Sequence, residues 1–278
     1  MLPRHNSMKS SPMSFFARKG ISCIVFFLVL AYAASLHAEV FQYFDDEGTL
    51  IVTDNPYGVK RPRASRPLNT YTPKPDQQVR LDLLSDVEYD YYPVYGRNFA
   101  EVVRSVDANG PYDEGDGRRY AGQTRWTAGW SYSFASSYRQ EGGFLRAEVG
   151  IRDMQFKSNI SVLLPMLSPE TTLPPQDFQQ WQYYMTRLLA HEHDHVRIIR
   201  DTAFREEAQQ KFSAIREVVV PADPGVDPDA LIRQAVEART ARIGHELIIE
   251  IKNRNDEYDR MTDHGARPEM RAAFFGGR

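Results

Sequence analysis

Five of the seven histidines fall between His191 and His264, and three of them stand within five residues that read His-Glu-His-Asp-His. This stretch contains the pattern H-E-x-x-H, formed by His191, Glu192 and His195. On a helix, residues four apart lie one turn apart on the same face, so the two imidazoles can bind one zinc ion. Glu192 is then predicted to act as general base toward a water molecule that the zinc activates, as in peptide-bond hydrolysis. The alternative is a charged, solvated helix whose histidines bind no metal.

The third ligand that a catalytic zinc normally has is left open by spacing alone. His193 lies about 200° round the helix from the first ligand, so we expect it to face away. Asp201 follows His195 by six residues, and on a continuous helix it also faces away. His264 stands at the predicted end of the last helix, from where it can point back at a neighbouring helix. Downstream glutamates are further candidates: Glu206, Glu207, Glu217 and Glu246.

Two long helices are predicted to position these residues. The first begins after Pro174-Pro175 and is expected to continue through Ala203 toward Val218. The second begins at Asp227-Pro228, with Asp as N-cap and Pro at the first helical position, and is expected to end near Gly265. The apolar residues of the first helix recur at intervals of three and four: Phe178, Trp181, Met185, Leu188 and Leu189.

Strands are predicted earlier in the chain. Residues 126–134 and 145–151 both alternate apolar and polar side chains, and Gly142-Gly143 separates them, which predicts an antiparallel pair. The aromatic stripe of the first strand is typical of the core face of a sheet. Before it, Asn98 and Glu101 form a capping box for a short helix. Strands followed by helices predict an α+β fold, in which an antiparallel sheet packs on long helices and one of them is a zincin-like active-site helix.

The N-terminus has the features of a secretory signal peptide at residues 1–38. Arg18 and Lys19 precede an apolar run from Ile21 to Ala34, and small residues lead to Ala38. An uncleaved anchor is the alternative, although the run is shorter than the roughly 20 residues of a membrane span. Cleavage removes the one cysteine and leaves 278 − 38 = 240 residues without disulfides. We therefore expect a periplasmic or secreted bacterial envelope protein without a stable membrane span.

Residues 39–57 are predicted to form a small β-hairpin domain. The stretch Val40–Pro56 resembles a short domain of unknown function in bacterial envelope proteins, through its aromatic, Asp, Gly, apolar and Thr-Asp-x-Pro pattern. Residues 58–80 contain four prolines and are predicted to be a linker. The main domain is then expected at residues 81–278. The net charge of −3 offers no basic excess for binding nucleic acid.

Several ordered motifs recur along the main domain: Tyr95-Gly96, Asn109-Gly110-Pro111, Gly122-x-Thr124-x-Trp126 with Trp130, Leu164-Pro165, the H-E-x-x-H, and Tyr258-Asp259-x-x-Thr262-x-His264-Gly265. Through these motifs the domain resembles bacterial predicted secreted zinc-dependent proteases, a family whose shared domain is otherwise of unknown function. The resemblance implies that His264 is the third zinc ligand, that Tyr258 stabilises the oxyanion, and that Asp259 orients a ligand histidine.

Two functions are therefore considered. The first is an exported zinc metallopeptidase, with one zinc per chain and Glu192 and Tyr258 in the chemistry. Its substrate would be a protein or peptide, held beside an edge strand near residues 145–151. The second is a non-enzymatic envelope protein that binds cell-envelope components and whose zinc is structural. The predicted zinc ligands of the enzyme are His191, His195 and His264, whereas a fourth protein ligand that closes the site would favour the structural role.

Overall fold

The structure is a computed structural model that describes residues 41–44, 50–53, 73–113 and 117–276. The predicted signal peptide and residues 58–72 of the predicted linker lie outside the described residues. All described residues fall within one unit, Val40–Arg278.

Two long antiparallel strands form the centre of a mixed sheet. They are β6 (Gln123–Glu141) and β7 (Phe144–Leu167). Gly142 and Gly143 make the turn between them with φ of +57° and +84°, a left-handed conformation that glycine adopts without a steric penalty. The predicted antiparallel pair is confirmed, and both strands extend beyond the predicted segments.

The other strands extend this pair on both sides. The sheet order is β1-β2-β6-β7-β3, and β8 also pairs with β7. β3 runs parallel to the C-terminal part of β7, whereas β8 runs antiparallel to its N-terminal part. The remaining strands are β1 (Phe41–Phe44), β2 (Leu50–Thr53), β3 (Glu88–Val94), β4 (Tyr112–Asp113), β5 (Arg118–Arg119) and β8 (Glu217–Pro221).

Two features of the sheet differ from expectation. The predicted hairpin is present as β1 and β2, but β2 pairs with β6, so these strands continue the main sheet. Residues 145–148 of β7 pair with β6 on one side and with β8 on the other. That stretch is therefore an interior strand, and the substrate-binding edge predicted there is wrong, because its backbone groups are already used.

The helices follow the predicted order, with different ends. The first long helix stops at Ile199, because Asp201 caps a new helix by accepting a hydrogen bond from the backbone N–H of Ala203 at 3.1 Å. The expected continuation toward Val218 is replaced by β8, whose run of valines suits a strand. The helices of the described residues are α1 (Phe99–Asn109), α2 (Pro175–Ile199), α3 (Thr202–Ser213), α4 (Pro228–Thr262) and α5 (Met270–Gly276).

Apolar side chains between sheet and helices form two core clusters. One gathers β3, the C-terminal end of β7, α1 and the whole length of α2, and it contains Trp181. The other gathers the middle of β6 and β7 with α3 and α4, and Trp130 packs there against Phe156 and Phe212. The aromatic stripe of β6 is thus part of the core, as predicted, and the fold class is α+β.

The last part of the predicted linker packs against the main domain. Gln77, in a 3-10 turn at Pro75–Gln77, is buried, and its side-chain oxygen accepts a hydrogen bond from the backbone N–H of Leu173 at 2.8 Å. None of the helices in the described part of the chain is both long enough and apolar enough to cross a bilayer.

Candidate metal centre

Helix α2 carries the two histidines of the H-E-x-x-H pattern into the interior. The exposed fractions of His191 and His195 are 7% and 8%. Their Nε2 atoms are 3.2 Å apart. They lie next to the buried apolar face of α2, so the packing that fixes the helix also turns both imidazoles inward. The structure therefore brings the two predicted metal-binding histidines together.

Asp259 of α4 is the third member of this cluster. Its Oδ1 lies 3.1 Å from Nε2 of His191 and 3.0 Å from Nε2 of His195. These three side chains form the group of potential metal ligands found in the described residues. Ligand atoms in a tetrahedral site with bonds of about 2.0–2.2 Å are about 3.3 Å apart, so the observed spacing is compatible with one metal ion. Asp259 thus lies where it could be a ligand, whereas the resemblance implied that it only orients a histidine.

His264, predicted as the third ligand, lies beside the cluster. Its Nδ1 is 3.8 Å from Oδ1 of Asp259, its side chain is 39% exposed, and its ring packs against Tyr120 at an interplanar angle of 38° with centroids 4.5 Å apart. The reason is the position of the helix end: α4 continues to Thr262 and presents Asp259 inward, while His264 stands in the turn after it. The structure therefore brings Asp259, not His264, into the cluster with His191 and His195, and the role of His264 as a ligand stays a prediction.

Asn255, one turn before Asp259 on α4, fixes the tautomer of His195. The amide Nδ2 of Asn255 donates to the carbonyl of Ile251 at 2.9 Å, which turns its Oδ1 toward Nδ1 of His195 at 2.8 Å. Since Oδ1 only accepts, Nδ1 of His195 must carry the proton, and the Nε2 lone pair is left free for a metal.

Oδ1 of Asp259 and Nε2 of His195 need a positive charge between them. Oδ1 of Asp259 is buried, and its nearest polar neighbours among the described residues are the two imidazole Nε2 atoms. It faces the lone pair of His195 Nε2, although both atoms are acceptors when that ring is neutral. A divalent ion between them would satisfy both atoms, so this donor set fits a metal.

The charges of the cluster are strongly coupled in the metal-free chain. Burial opposes ionisation of Asp259, but the two neighbouring imidazoles outweigh it and hold the pKa of this carboxyl well below its usual range. Burial alone would lower the pKa of His195, but Asp259 and Glu192 outweigh burial and raise this pKa to about 9. A proton in the metal-free chain therefore occupies the place that a metal ion would take.

Glu192, the predicted base, points from α2 toward the sheet. It is 3% exposed, and its Oε2 accepts a hydrogen bond from the hydroxyl of Thr124 on β6 at 2.6 Å. A Cβ on Gly122 would lie 2.5 Å from Oε1 of Glu192, so a side chain at this position would force the carboxylate out of its observed place. The orientation of the Glu192 side chain is therefore set by Thr124 on β6 and by Gly122 in the loop before β6.

Residues 89–265, more than half of the chain, match a family described as "Bacterial protein of unknown function (DUF922)". The chain belongs to the DUF922 family. Comparisons with curated proteins and with solved structures found no match.

The DUF922 region also contains the turn that packs on His191. Gly265 has a φ of +85°, and a Cβ there would lie 3.1 Å from Cγ of His191. Gly122 and Gly265 thus have the same structural role, since each allows the backbone to approach a side chain of the H-E-x-x-H pattern.

Tyr258, predicted to stabilise an oxyanion, is fully buried and has another partner. Its hydroxyl donates to Oδ2 of Asp194, and its ring stacks on His191 with centroids 5.1 Å apart. Burial, followed by the Asp194 carboxylate, raises the pKa of Tyr258 above its ordinary value. The geometry therefore gives Tyr258 a role in packing and orienting the imidazoles rather than in contacting substrate.

The other candidates lie away from the cluster. His193 faces β3, where its Nε2 is 2.8 Å from the hydroxyl of Tyr89, so the prediction that it faces away from the site is confirmed. Asp201 is the N-cap of α3. The glutamate candidates are also placed elsewhere: Glu207 pairs with Lys211, Glu217 pairs with Arg146, and Glu206 and Glu246 are exposed.

Thr124 and Asn255 are not expected at the site from the sequence, and Asp259 is expected only beside it. The spacing of Asn255, Tyr258, Asp259 and Thr262 places all four on one face of α4 and is the signal that could have grouped Asn255 with Asp259. Thr124 was noted only as part of a motif, and nothing in its spacing indicates its contact with Glu192.

Proposed function

We propose that this protein is an exported zinc-dependent peptidase that hydrolyses peptide bonds, with Glu192 as general base. The observation that carries the proposal is the convergence of three potential ligands whose nearest atoms lie 3.0–3.2 Å apart. His191 and His195 come from α2, the helix that also carries Glu192, and Asp259 comes from α4. Two imidazoles and one carboxylate leave a fourth position of a tetrahedral zinc site available, as catalytic zinc requires.

Each residue has a separate task in this reaction. His191, His195 and Asp259 hold the zinc, which when bound acts as a Lewis acid and lowers the pKa of a water molecule to about 7. Glu192 accepts the proton of the attacking water and passes it to the leaving amine. Thr124 donates to one oxygen of Glu192, which leaves the other oxygen to take the proton.

The proposed setting is the periplasm or the cell exterior, with a protein or peptide as substrate. The support is the sequence of the N-terminus, which has the features of an export signal, and the H-E-x-x-H pattern, which suits peptide-bond hydrolysis.

The alternative, an envelope-binding protein with a structural zinc, is less well supported. A structural zinc site is normally closed by four protein ligands. The cluster found in the described residues has three members. This observation favours a site that keeps one position for a reacting molecule.

The test is metal content together with hydrolysis of an unstructured protein such as casein. We expect one zinc per chain in the wild type and at least a hundredfold lower hydrolysis in Glu192→Gln, which should keep its zinc. His193→Ala is the matched control on the same helix and should change neither quantity. Full zinc occupancy without hydrolysis of casein or of peptidoglycan-derived peptides would support the structural alternative.

A further inference from the structure

The C-terminal helix α5 lies beyond the residues that match the family, which end at 265. It nevertheless packs against both helices that carry the metal-binding cluster. The guanidinium of Arg197 on α2 lies 4.0 Å from the ring centre of Phe275, and that of Arg254 on α4 lies 5.2 Å from the ring centre of Phe274. These cation–π contacts attach α5 to α2 and α4 together.

Arg271 of α5 binds a buried carboxylate of the H-E-x-x-H segment. Its Nη2 donates to Oδ1 of Asp194 at 2.8 Å, and its Nε donates to Oδ2 of the same residue. The side chain of Asp194 is only 5% exposed, so this bidentate pair supplies the positive charge that a buried carboxylate needs.

Asp194 in turn holds Tyr258. Oδ2 of Asp194 accepts the hydroxyl proton of Tyr258, and Phe274 and Phe275 pack on the same phenol ring with centroids at 5.0 and 5.7 Å. The ring therefore has a fixed hydroxyl and one face covered by α5.

Tyr258 contacts both imidazoles of the cluster. It stacks on His191 at an interplanar angle of 20° and meets His195 edge to face at 89°, with centroids 5.1 and 5.3 Å away. The direction of each Nε2 thus depends on the placement of one phenol ring.

We propose that Arg271 is a positioning residue of the metal centre, which acts through Asp194 and Tyr258 on His191 and His195. The helix outside the matched family region is then part of the unit that binds the metal. This inference rests on the metal site of the proposed function and is independent of hydrolysis.

The experiment compares the zinc dissociation constants of full-length variants, measured by competition with a chelator. Arg271→Gln should bind zinc about 10–100-fold more weakly than the wild type, the usual effect of losing a group that orients a ligand. Arg271→Lys should lie between the two, because it keeps the charge but loses the bidentate geometry. Arg267→Gln, an exposed arginine four residues earlier, is the matched control and should match the wild type.

A double-mutant cycle separates positioning from general destabilisation. Tyr258→Phe removes the hydroxyl link, so adding Arg271→Gln to it should weaken zinc binding by much less than Arg271→Gln alone. Unchanged zinc affinity in Arg271→Gln, or additive losses in the double variant, would overturn the proposal. Wild-type protein that binds zinc without hydrolysing peptides would remove the peptidase and leave this inference in place, whereas wild-type protein that binds no zinc would overturn both.

Discussion

A carboxylate as third ligand would set the charge of the centre. Two neutral imidazoles and the carboxylate of Asp259 would leave a net charge of about +1 on a divalent ion, whereas three neutral histidines would leave about +2. Asp259 would therefore lower the net charge of the centre, and His264 lies at the edge of the site.

The two candidate third ligands can be separated by a pair of variants. Asp259→Ala should weaken zinc binding by at least about 100-fold, because removal of groups that merely orient ligands already costs about 10–100-fold. His264→Ala should change zinc affinity by less than tenfold. Chelator competition measures both, and a greater loss in His264→Ala than in Asp259→Ala would restore His264 as the ligand.

The turn between α4 and α5 contains three successive residues with a left-handed backbone conformation. Asp263, His264 and Gly265 follow one another with φ of +50°, +50° and +85°. Non-glycine residues in this left-handed region carry strain on the order of 1–3 kcal/mol each, and such strain persists only where the surroundings fix it. Here the turn brings Gly265 against His191 and starts the path of the chain toward α5.

Gly265→Ala tests this turn. The new Cβ would meet the His191 ring and occupy a left-handed backbone, so we expect a loss of about 1–3 kcal/mol in the free energy of unfolding and weaker zinc binding. Gly150→Ala in β7 is the control, because a Cβ there has nothing within 4 Å. Urea unfolding and chelator competition measure the two effects, and equal stability of both variants would contradict the assigned role of the turn.

Two helix starts that carry a capping residue, those of α1 and α4, were predicted correctly from the local sequence. The capping box at Asn98 was confirmed, since Oδ1 of Asn98 accepts from the N–H of Glu101 at 2.9 Å, and so was the start of α4 at Asp227. The end of α2 was not predicted, because nothing in the sequence distinguishes Asp201 from the other polar residues of a continuous helix. Only the structure shows that its side chain caps the next helix. β3 was missed because its partner in the sheet is distant in sequence.

At the scale of the whole molecule, the metal centre depends on how two helices cross. His191 and His195 were predictable, because one turn of α2 contains both. Asp259 comes from α4, more than 60 residues later, and only the packing of α4 against α2 selects it over His264. A pattern within one helix was thus readable from the sequence, whereas a contact between two helices was not.

The metal-free protein should lose stability as the pH rises above neutrality. The pKa of His195 is raised from 6.5 to about 9 in the folded chain, so between these values the folded state binds more protons than the unfolded state. The free energy of unfolding must then fall as the pH rises from about 6.5 to 9. The lowered pKa of Asp259 has the opposite sign, so its contribution is present above about pH 4 and is lost in acid.

Urea unfolding of chelator-treated protein at pH 6 and pH 9 measures this effect. The decrease should be present in the wild type and much smaller in Asp259→Asn, which lacks the charge that holds the proton on His195. Equal stability at the two pH values in the wild type would show that the pair is not charged without metal.

The distance along the chain between the two parts of the centre also bears on folding. An unfolded chain offers a metal ion only the local side chains of residues 191–195, since Asp259 joins them only after α4 has docked on α2. Tighter binding to the folded state than to this unfolded segment would convert the difference in metal affinity into stability. Binding of a metal by all three residues would therefore follow the docking of α4 on α2. It would stabilise a chain whose long-range contacts are already formed.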